Sequence, residues 1–324
     1  MKTKQRNNLT PILLALVVMM FWGSLYPIVK FGYKVFQIDT SYYPNLLLFA
    51  GVRFTISGLC ISLFQIAKKK TVPVMQTKKE WLGILLVGLF SVILNYACTF
   101  YGLSVVESSK TALLKQAGAL VVIVFSALFI KEDKLTLEKG IGAALGLASI
   151  IILNCNALGF SLSFGAIVIV LSSFCTVIAS VICKKTLKGI DAVVMTGYSQ
   201  TFGGFILLII GISCGGSMAL DNVGAWGLLA WIVFATCVSY SLWYTIVQKY
   251  ELSKLFIVKL SEPVFAAIIS AILLKENLLQ WHYVGAFLCI ATAVVISNMK
   301  LKKLLQSKTN LQTENIENNK TIEK

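Results

Sequence analysis

Ten apolar runs follow one another along this chain, at about 11–30, 44–66, 81–101, 108–130, 137–154, 161–183, 193–213, 224–247, 255–274 and 281–298. At 1.5 Å of rise per residue, runs near 20 residues cross the roughly 30 Å hydrocarbon core of a bilayer. Inside that core every backbone N–H and C=O must find its partner within the chain, so runs of this length resolve into helices. The pattern therefore predicts an all-α membrane protein with ten transmembrane helices. Composition agrees: 57% of residues are hydrophobic and only 13% are charged, against roughly a quarter charged in soluble domains. Lys2, Lys4 and Arg6 precede the first run. That run is not closed by a small-residue cleavage site, so it reads as a retained span rather than a signal peptide.

The chain is also written twice. Glu107-Ser108-Ser109-Lys110-Thr111-Ala112-Leu113-Leu114-Lys115 and Glu251-Leu252-Ser253-Lys254-Leu255-Phe256-Ile257-Val258-Lys259 share the pattern E-x-S-K-x-x-x-x-K, 144 residues apart. The same offset joins Lys131-Glu132 to Lys275-Glu276, Tyr96 to Tyr240 and Gly83 to Gly227. An internal repeat of this kind divides the chain into residues 1–155, 156–299 and a polar tail, 300–324, rich in Asn, Gln, Lys and Glu. Lysines concentrate on one side of the expected spans: Lys68, Lys69, Lys70, Lys78 and Lys79, then Lys131, Lys134 and Lys139, then Lys184, Lys185 and Lys188, then Lys249 and Lys254, then the tail. The opposite side holds Lys30, Lys34, Lys110 and Lys275. By the positive-inside rule both termini face the cytoplasm. Each repeat then holds five spans, an odd number, so the second copy enters the membrane from the opposite side. The expectation is two inverted five-helix repeats. Lys115 and Lys259 would lie roughly 8–12 Å along their helices, at comparable depths on opposite sides of the midplane.

At this point the residues resemble the drug/metabolite transporter superfamily in its ten-span form, built of two EamA-type domains. The resemblance covers roughly residues 11–298. It rests on Trp22-Gly23-Ser24 followed by Lys30, on Arg53, and on the fourth span ending in Lys131-Glu132. It rests further on Glu262-Pro263-Val264 leading to Lys275-Glu276, and on Gly142 and Gly285. It implies a carrier of small metabolites, often an exporter of amino acids or related compounds, with a central cavity between the repeats. Two features depart from the family pattern. Ala119 stands where the fourth span usually has proline, and the matched lysines 115 and 259 are additional.

Ionisable groups inside a span are expensive. A lysine at the centre costs about 2.5–3.5 kcal/mol on insertion scales, so such groups are paired, face water or serve function. Lys259 and Glu262 are i and i+3 and can pair on one helical face. Glu262 otherwise offers a carboxylate that could take up a proton and couple transport to the proton gradient. Lys115 has no acid within a turn. It lines a cavity and attracts an anionic substrate group, or pairs with Glu262, or snorkels to an interface. Arg53 bonds helix carbonyls or headgroups, or guards the cavity. Pro27 and Pro263 each free a carbonyl one turn earlier and provide either a packing kink or a hinge. Trp22, Tyr26, Tyr96, Tyr240, Trp243 and Tyr244 suit a substrate wall, whereas Trp81, Trp226 and Trp281, at span starts, suit the membrane interface.

Other function classes fit poorly. The net charge of +15 sits between spans and in the tail, not on a face with interleaved aromatics, so nucleic acid is not expected as a partner. The single histidine, His282, leaves no His-based metal cluster and no Ser-His-Asp set. No G-x-x-x-x-G-K-[ST] loop occurs to bind ATP as an energy source, and no cofactor is called for. The eight cysteines read as packing residues, with a Cys155–Cys214 bridge the one pairing open to them. The Lys-, Ile- and Asn-rich composition points to a bacterial cytoplasmic membrane. The sequence thus predicts a secondary transporter working by alternating access, not an enzyme. Its partners would be a small metabolite bearing an anionic group and the lipid bilayer, with energy from the proton gradient, a proton being the coupling ion, or from the substrate's own gradient. A lipid flippase, or an accessory subunit of a membrane complex, is the alternative.

Overall fold

The described parts of the ten expected spans are helical except at Lys115, Ser163 and Leu260-Ser261, and no strand occurs among the described residues. The structure is a computed structural model that describes residues 9–70, 75–116, 118–119, 136–154, 163–187, 189–221, 223–275 and 281–298. Helix α1 (Leu9–Val35) carries Pro27 inside it. Helix α2 (Tyr43–Lys69) has Pro44 in its first turn and ends on Lys70 in the left-handed region. Helix α3 (Lys78–Val105) opens with a capping box, in which Thr77 and Glu80 each accept from the other's backbone N–H. Then come α4 (Ser108–Leu114), α5 (Leu137–Asn154), α6 (Phe164–Thr186), α7 (Ala192–Ser213) and α8 (Val223–Lys249). The last elements are α9 (Leu252–Lys259), α10 (Glu262–Leu274) and α11 (Trp281–Asn298). Seven helices among the described residues, counting α9 and α10 as one, are long and apolar enough to cross a membrane. Lys131-Glu132, Lys188, Cys155, Glu276, the amino-terminal cluster and the tail lie outside the described residues, as does the side chain of His282.

The expected ninth span is not one helix. It starts at Leu252, earlier than the apolar run, and breaks at Leu260-Ser261. Pro263 explains the break: it has no N–H to give to residue 259, and its ring clashes with that carbonyl. Leu260 and Ser261 instead close tight i to i−3 turns onto Ile257 and Val258, at 3.1 and 3.0 Å. Pro263 then falls in the first turn of α10, where a missing N–H is harmless. The fourth span is interrupted at the matching place without a proline. Lys115 sits in a turn after α4, and the Gly118 N–H donates to the Ser173 hydroxyl at 2.9 Å. Both copies of the repeated motif start alike. Glu107 and Glu251 are the extended N-cap residues of α4 and α9, and each pairs with its i+3 lysine, at 3.1 and 3.0 Å.

Helices α2 and α7 run along each other with almost no side chain between them. A Cβ at Gly204 would lie 2.3 Å from the Thr55 backbone nitrogen, so only glycine permits that approach. A Lys69–Asp191 ion pair at 2.6 Å closes one end of this seam, and Asp191 also caps α7. Helix α1 packs against α8 and α10, α3 against α6, and α5 against α11. The polarity of the bundle is inverted relative to a water-soluble fold. Arg53, Lys115, Lys259 and Glu262 are all buried, while Leu63, Phe64, Ile212 and Ile272 lie on the outside. Such an exterior suits hydrocarbon.

Candidate functional site

The site is assembled where α1 meets the break between α9 and α10. A Cβ at Gly23 would come within 2.6 Å of the Glu262 carbonyl and 2.7 Å of the Phe265 Cβ. Glycine in the Trp22-Gly23-Ser24 motif therefore lets α1 touch the first turn of α10 directly. That contact puts Tyr26 in reach of Glu262, and its hydroxyl donates to Glu262 Oε1 at 2.6 Å. The other carboxylate oxygen, Oε2, takes the ammonium of Lys259. The same ammonium lies over the Trp22 ring, 4.7 Å from its centroid. The broken helix favours both charges, because Lys259 ends α9 and Glu262 begins α10, matching the helix dipoles.

Lys115 has different company. Its Nζ donates to Asn95 Oδ1 at 2.5 Å, Thr99 Oγ1 at 2.9 Å and Ser172 Oγ at 3.1 Å. All three oxygens are neutral, and among the described residues no carboxylate forms an ion pair with it. Asn95 and Thr99 stand one turn apart on α3, just after a π-helical segment, Leu89–Leu94, that widens the helix within the span. Segments of this kind often re-aim side chains at functional sites.

On the other flank of α3, Arg53 reaches in from α2. It donates through Nε to Thr236 Oγ1 at 2.9 Å, and its guanidinium lies over Phe54, Tyr96 and Phe100, at 4.7, 5.3 and 6.0 Å from their ring centres. Only 1% of Arg53 is exposed, which overturns the headgroup reading. The repeat-matched tyrosines meet: Tyr96 and Tyr240 share a hydrogen bond of 2.7 Å between their hydroxyls. Trp22 packs against Tyr240 and Trp243, with ring centres 5.3 and 5.1 Å apart.

These groups surround one cavity of about 40 Å³, room for about three waters. Its lining includes Trp22, Tyr26, Tyr96, Tyr240, Lys115 and Lys259, whereas Trp243 and Tyr244, also expected in a substrate wall, lie in the buried core and do not line it. Glu262 and Arg53 line it too, as do Asn95 and Thr99. Pro27 and Pro263 do not line it; each is the chain neighbour of a residue that does. The sequence reading missed Asn95, Thr99 and Ser172. Their one signal was Asn95 and Thr99 at i, i+4 spacing within an apolar run. No group of three or more His, Cys, Asp or Glu side chains suited to a metal occurs among the described residues.

The EamA-like transporter family model matches residues 9–155 and 163–298. The chain is 27% identical over 296 residues to a Bacillus subtilis (strain 168) protein described as an uncharacterized transporter, YvbV, covering 90% of this chain and 92% of that one. An uncharacterized transporter of Archaeoglobus fulgidus is 23% identical over 289 residues, covering 88% of this chain and 97% of that protein. A solved crystal structure superposes with a TM-score of 0.69 over 90% of this chain and 98% of its own, at 17% identity, which speaks to the fold alone.

Proposed function

Since the chain belongs to the EamA-like transporter family, and so is a multi-pass membrane transporter of the drug/metabolite superfamily, we propose that it is a secondary carrier for a small metabolite bearing an anionic group. The observation that carries this reading is Lys115. A buried lysine met only by neutral oxygens leaves its charge unbalanced whenever it is protonated, and a substrate anion would balance it. In this reading the residues around the cavity act as an occluded site, closed down to a volume for a few waters.

The two repeats, 1–155 and 156–299, move against each other as inverted five-helix units, ten spans in all, with both termini cytoplasmic in a bacterial plasma membrane. Three facts support the pairing of the repeats: the matched E-x-S-K motifs start alike, the matched tyrosines meet, and both matched lysines line one cavity. The broken ninth span fits carriers whose discontinuous helices end at the substrate. Pro27 and Pro263, beside Tyr26 and Glu262, serve as hinges in this scheme. Glu262 is the group to exchange a proton: protonation would release Lys259 toward the substrate and tie transport to the proton gradient. Export is the direction the family resemblance favours.

A lipid flippase is the second reading, and one feature favours it. An apolar groove of about 850 Å³ lies between α2 and α8, lined by Ile56, Phe64, Trp226 and Phe234, with Lys68 at one end. A thermal-stability screen separates the two, using amino acids, organic anions, nucleosides and lipids on wild type and Lys115→Met. A ligand at 100 times its Kd stabilises by about 2.7 kcal/mol. A soluble anion that protects wild type but not the variant supports the carrier. Protection by lipid alone, equal in both proteins, supports the flippase.

A further inference from the structure

Among the buried side-chain polar atoms of the described residues that lack a hydrogen-bond partner, only two belong to residues lining the central cavity: Trp22 Nε1 and Arg53 Nη2. Both atoms can only donate. Native structures seldom leave such donors unpaired, and the exceptions point to a function or to an absent acceptor. Both groups are also held in place. Arg53 is fixed by Thr236 and by the rings beneath its guanidinium, and Trp22 by Tyr240, Trp243 and the overlying Lys259.

We propose that Arg53 and Trp22 form an oxyanion subsite of the cavity, separate from Lys115, and that the substrate is a net anion with two anionic groups. This rests on the carrier reading of the same cavity. A neutral acceptor would leave the guanidinium charge unmatched; a carboxylate or phosphate matches that charge and has more than one oxygen to accept from the two donors. Lys115 receives the second anionic group. It lies on the Asn95–Thr99 ridge of α3, whereas Arg53 lies on the neighbouring Tyr96–Phe100 ridge. Charge balance disfavours the zwitterion. The lining sets three basic side chains, Arg53, Lys115 and Lys259, against one carboxylate, Glu262. That carboxylate is already held by Lys259 and Tyr26. An amino acid would bring an ammonium into a site with no free acid for it.

The test measures binding to purified full-length protein by isothermal titration. The probes are succinate, glutarate and glycerol 3-phosphate as dianions, butyrate as a monoanion, and alanine and leucine as zwitterions. At least one dianion should bind at least 10-fold more tightly than butyrate and both zwitterions, and the dianion that wins tells carboxylate from phosphate. Trp22→Phe keeps the ring but removes the N–H, and should weaken that dianion about 5- to 20-fold. Arg53→Lys keeps the charge but loses the fork, and should weaken it at least as much. If Arg53→Lys is not monodisperse, Trp22→Phe alone decides. Unchanged dianion affinity in Trp22→Phe overturns the subsite. Zwitterions binding as tightly as dianions overturn the charge assignment while leaving the carrier reading intact. If no soluble probe binds and lipid alone protects in the stability screen, the carrier reading falls and this inference with it.

Discussion

Lys115 and Lys259 occupy matched positions, yet removing each should have unequal consequences for stability. Lys259→Met would leave the Glu262 carboxylate, 1% exposed, with the Tyr26 hydroxyl as its remaining hydrogen-bond donor. Breaking one half of a buried ion pair costs about 3–5 kcal/mol. Lys115→Met strands nothing comparable. Thr99 and Ser172 already donate to the carbonyls of Asn95 and Ile169, at 2.7 and 2.6 Å, and the Asn95 amide nitrogen donates to Ser91 O at 3.1 Å. Three hydrogen bonds from a charged donor, about 1.5–3 kcal/mol each, are lost. Against that, the desolvation of a buried ammonium, several kcal/mol, is no longer paid. The two terms nearly cancel, so Lys115→Met should stay within about 1.5 kcal/mol of wild type. Lys259→Met should lose about 3–5 kcal/mol, and Lys259→Met/Glu262→Gln should regain most of it. Thermal unfolding of the four proteins in one detergent–lipid mixture reads the order directly. Lys115→Met falling as far as Lys259→Met would refute the view that Lys115 is kept for function rather than stability.

Three further outcomes are expected. Gly23→Ala forces α1 off α10 at the Glu262 carbonyl, a loss of about 1–3 kcal/mol by overpacking; wild-type stability in this variant would remove the contact from the account. Glu262→Gln should make the transport rate independent of pH in proteoliposomes, and a wild-type pH profile in that variant would return Glu262 to a purely structural role. The third concerns Asp191, outside the spans. Burial raises its carboxyl pKa, but hydrogen bonds from Lys69 and from the Val193 N–H outweigh this and hold it below the ordinary value. A depressed folded-state pKa stabilises above the unfolded value, near 3.9, and that contribution is lost as pH falls through the folded one. Asp191→Asn should therefore be less stable than wild type at pH 7 by at most about 1 kcal/mol for this half-exposed pair, and the gap should close on acidification. A gap that widens as pH falls would reverse the sign.

Helix ends were legible because charge and proline mark them. The expected run at 193–213 meets α7 at Ala192–Ser213, and that at 224–247 meets α8 at Val223–Lys249. The Lys259–Glu262 pair was legible for the same reason, being local at i, i+3. What hid were contacts between distant parts of the chain. The partners of Lys115 on α3 and α6 are 16 to 57 residues away, and Thr236 is 183 residues from Arg53. No local period announces either. The break in the ninth span was half legible. Pro263 marks a disturbance, but whether a proline kinks a helix or ends it depends on what satisfies the freed groups, and here tight turns at Leu260 and Ser261 do so. The π-helical segment Leu89–Leu94 carries no proline or glycine, so nothing in its composition sets it apart from the helix around it.

Counterflow in proteoliposomes tests the central claim most directly. Vesicles preloaded with the unlabelled metabolite that protects wild type are diluted into a trace of the same compound carrying a label. An alternating-access carrier returns from each outward trip loaded, so label should rise transiently above its equilibrium level with wild type. With the stably folded Lys115→Met it should not. No overshoot with wild type, or an equal overshoot with Lys115→Met, would contradict the account.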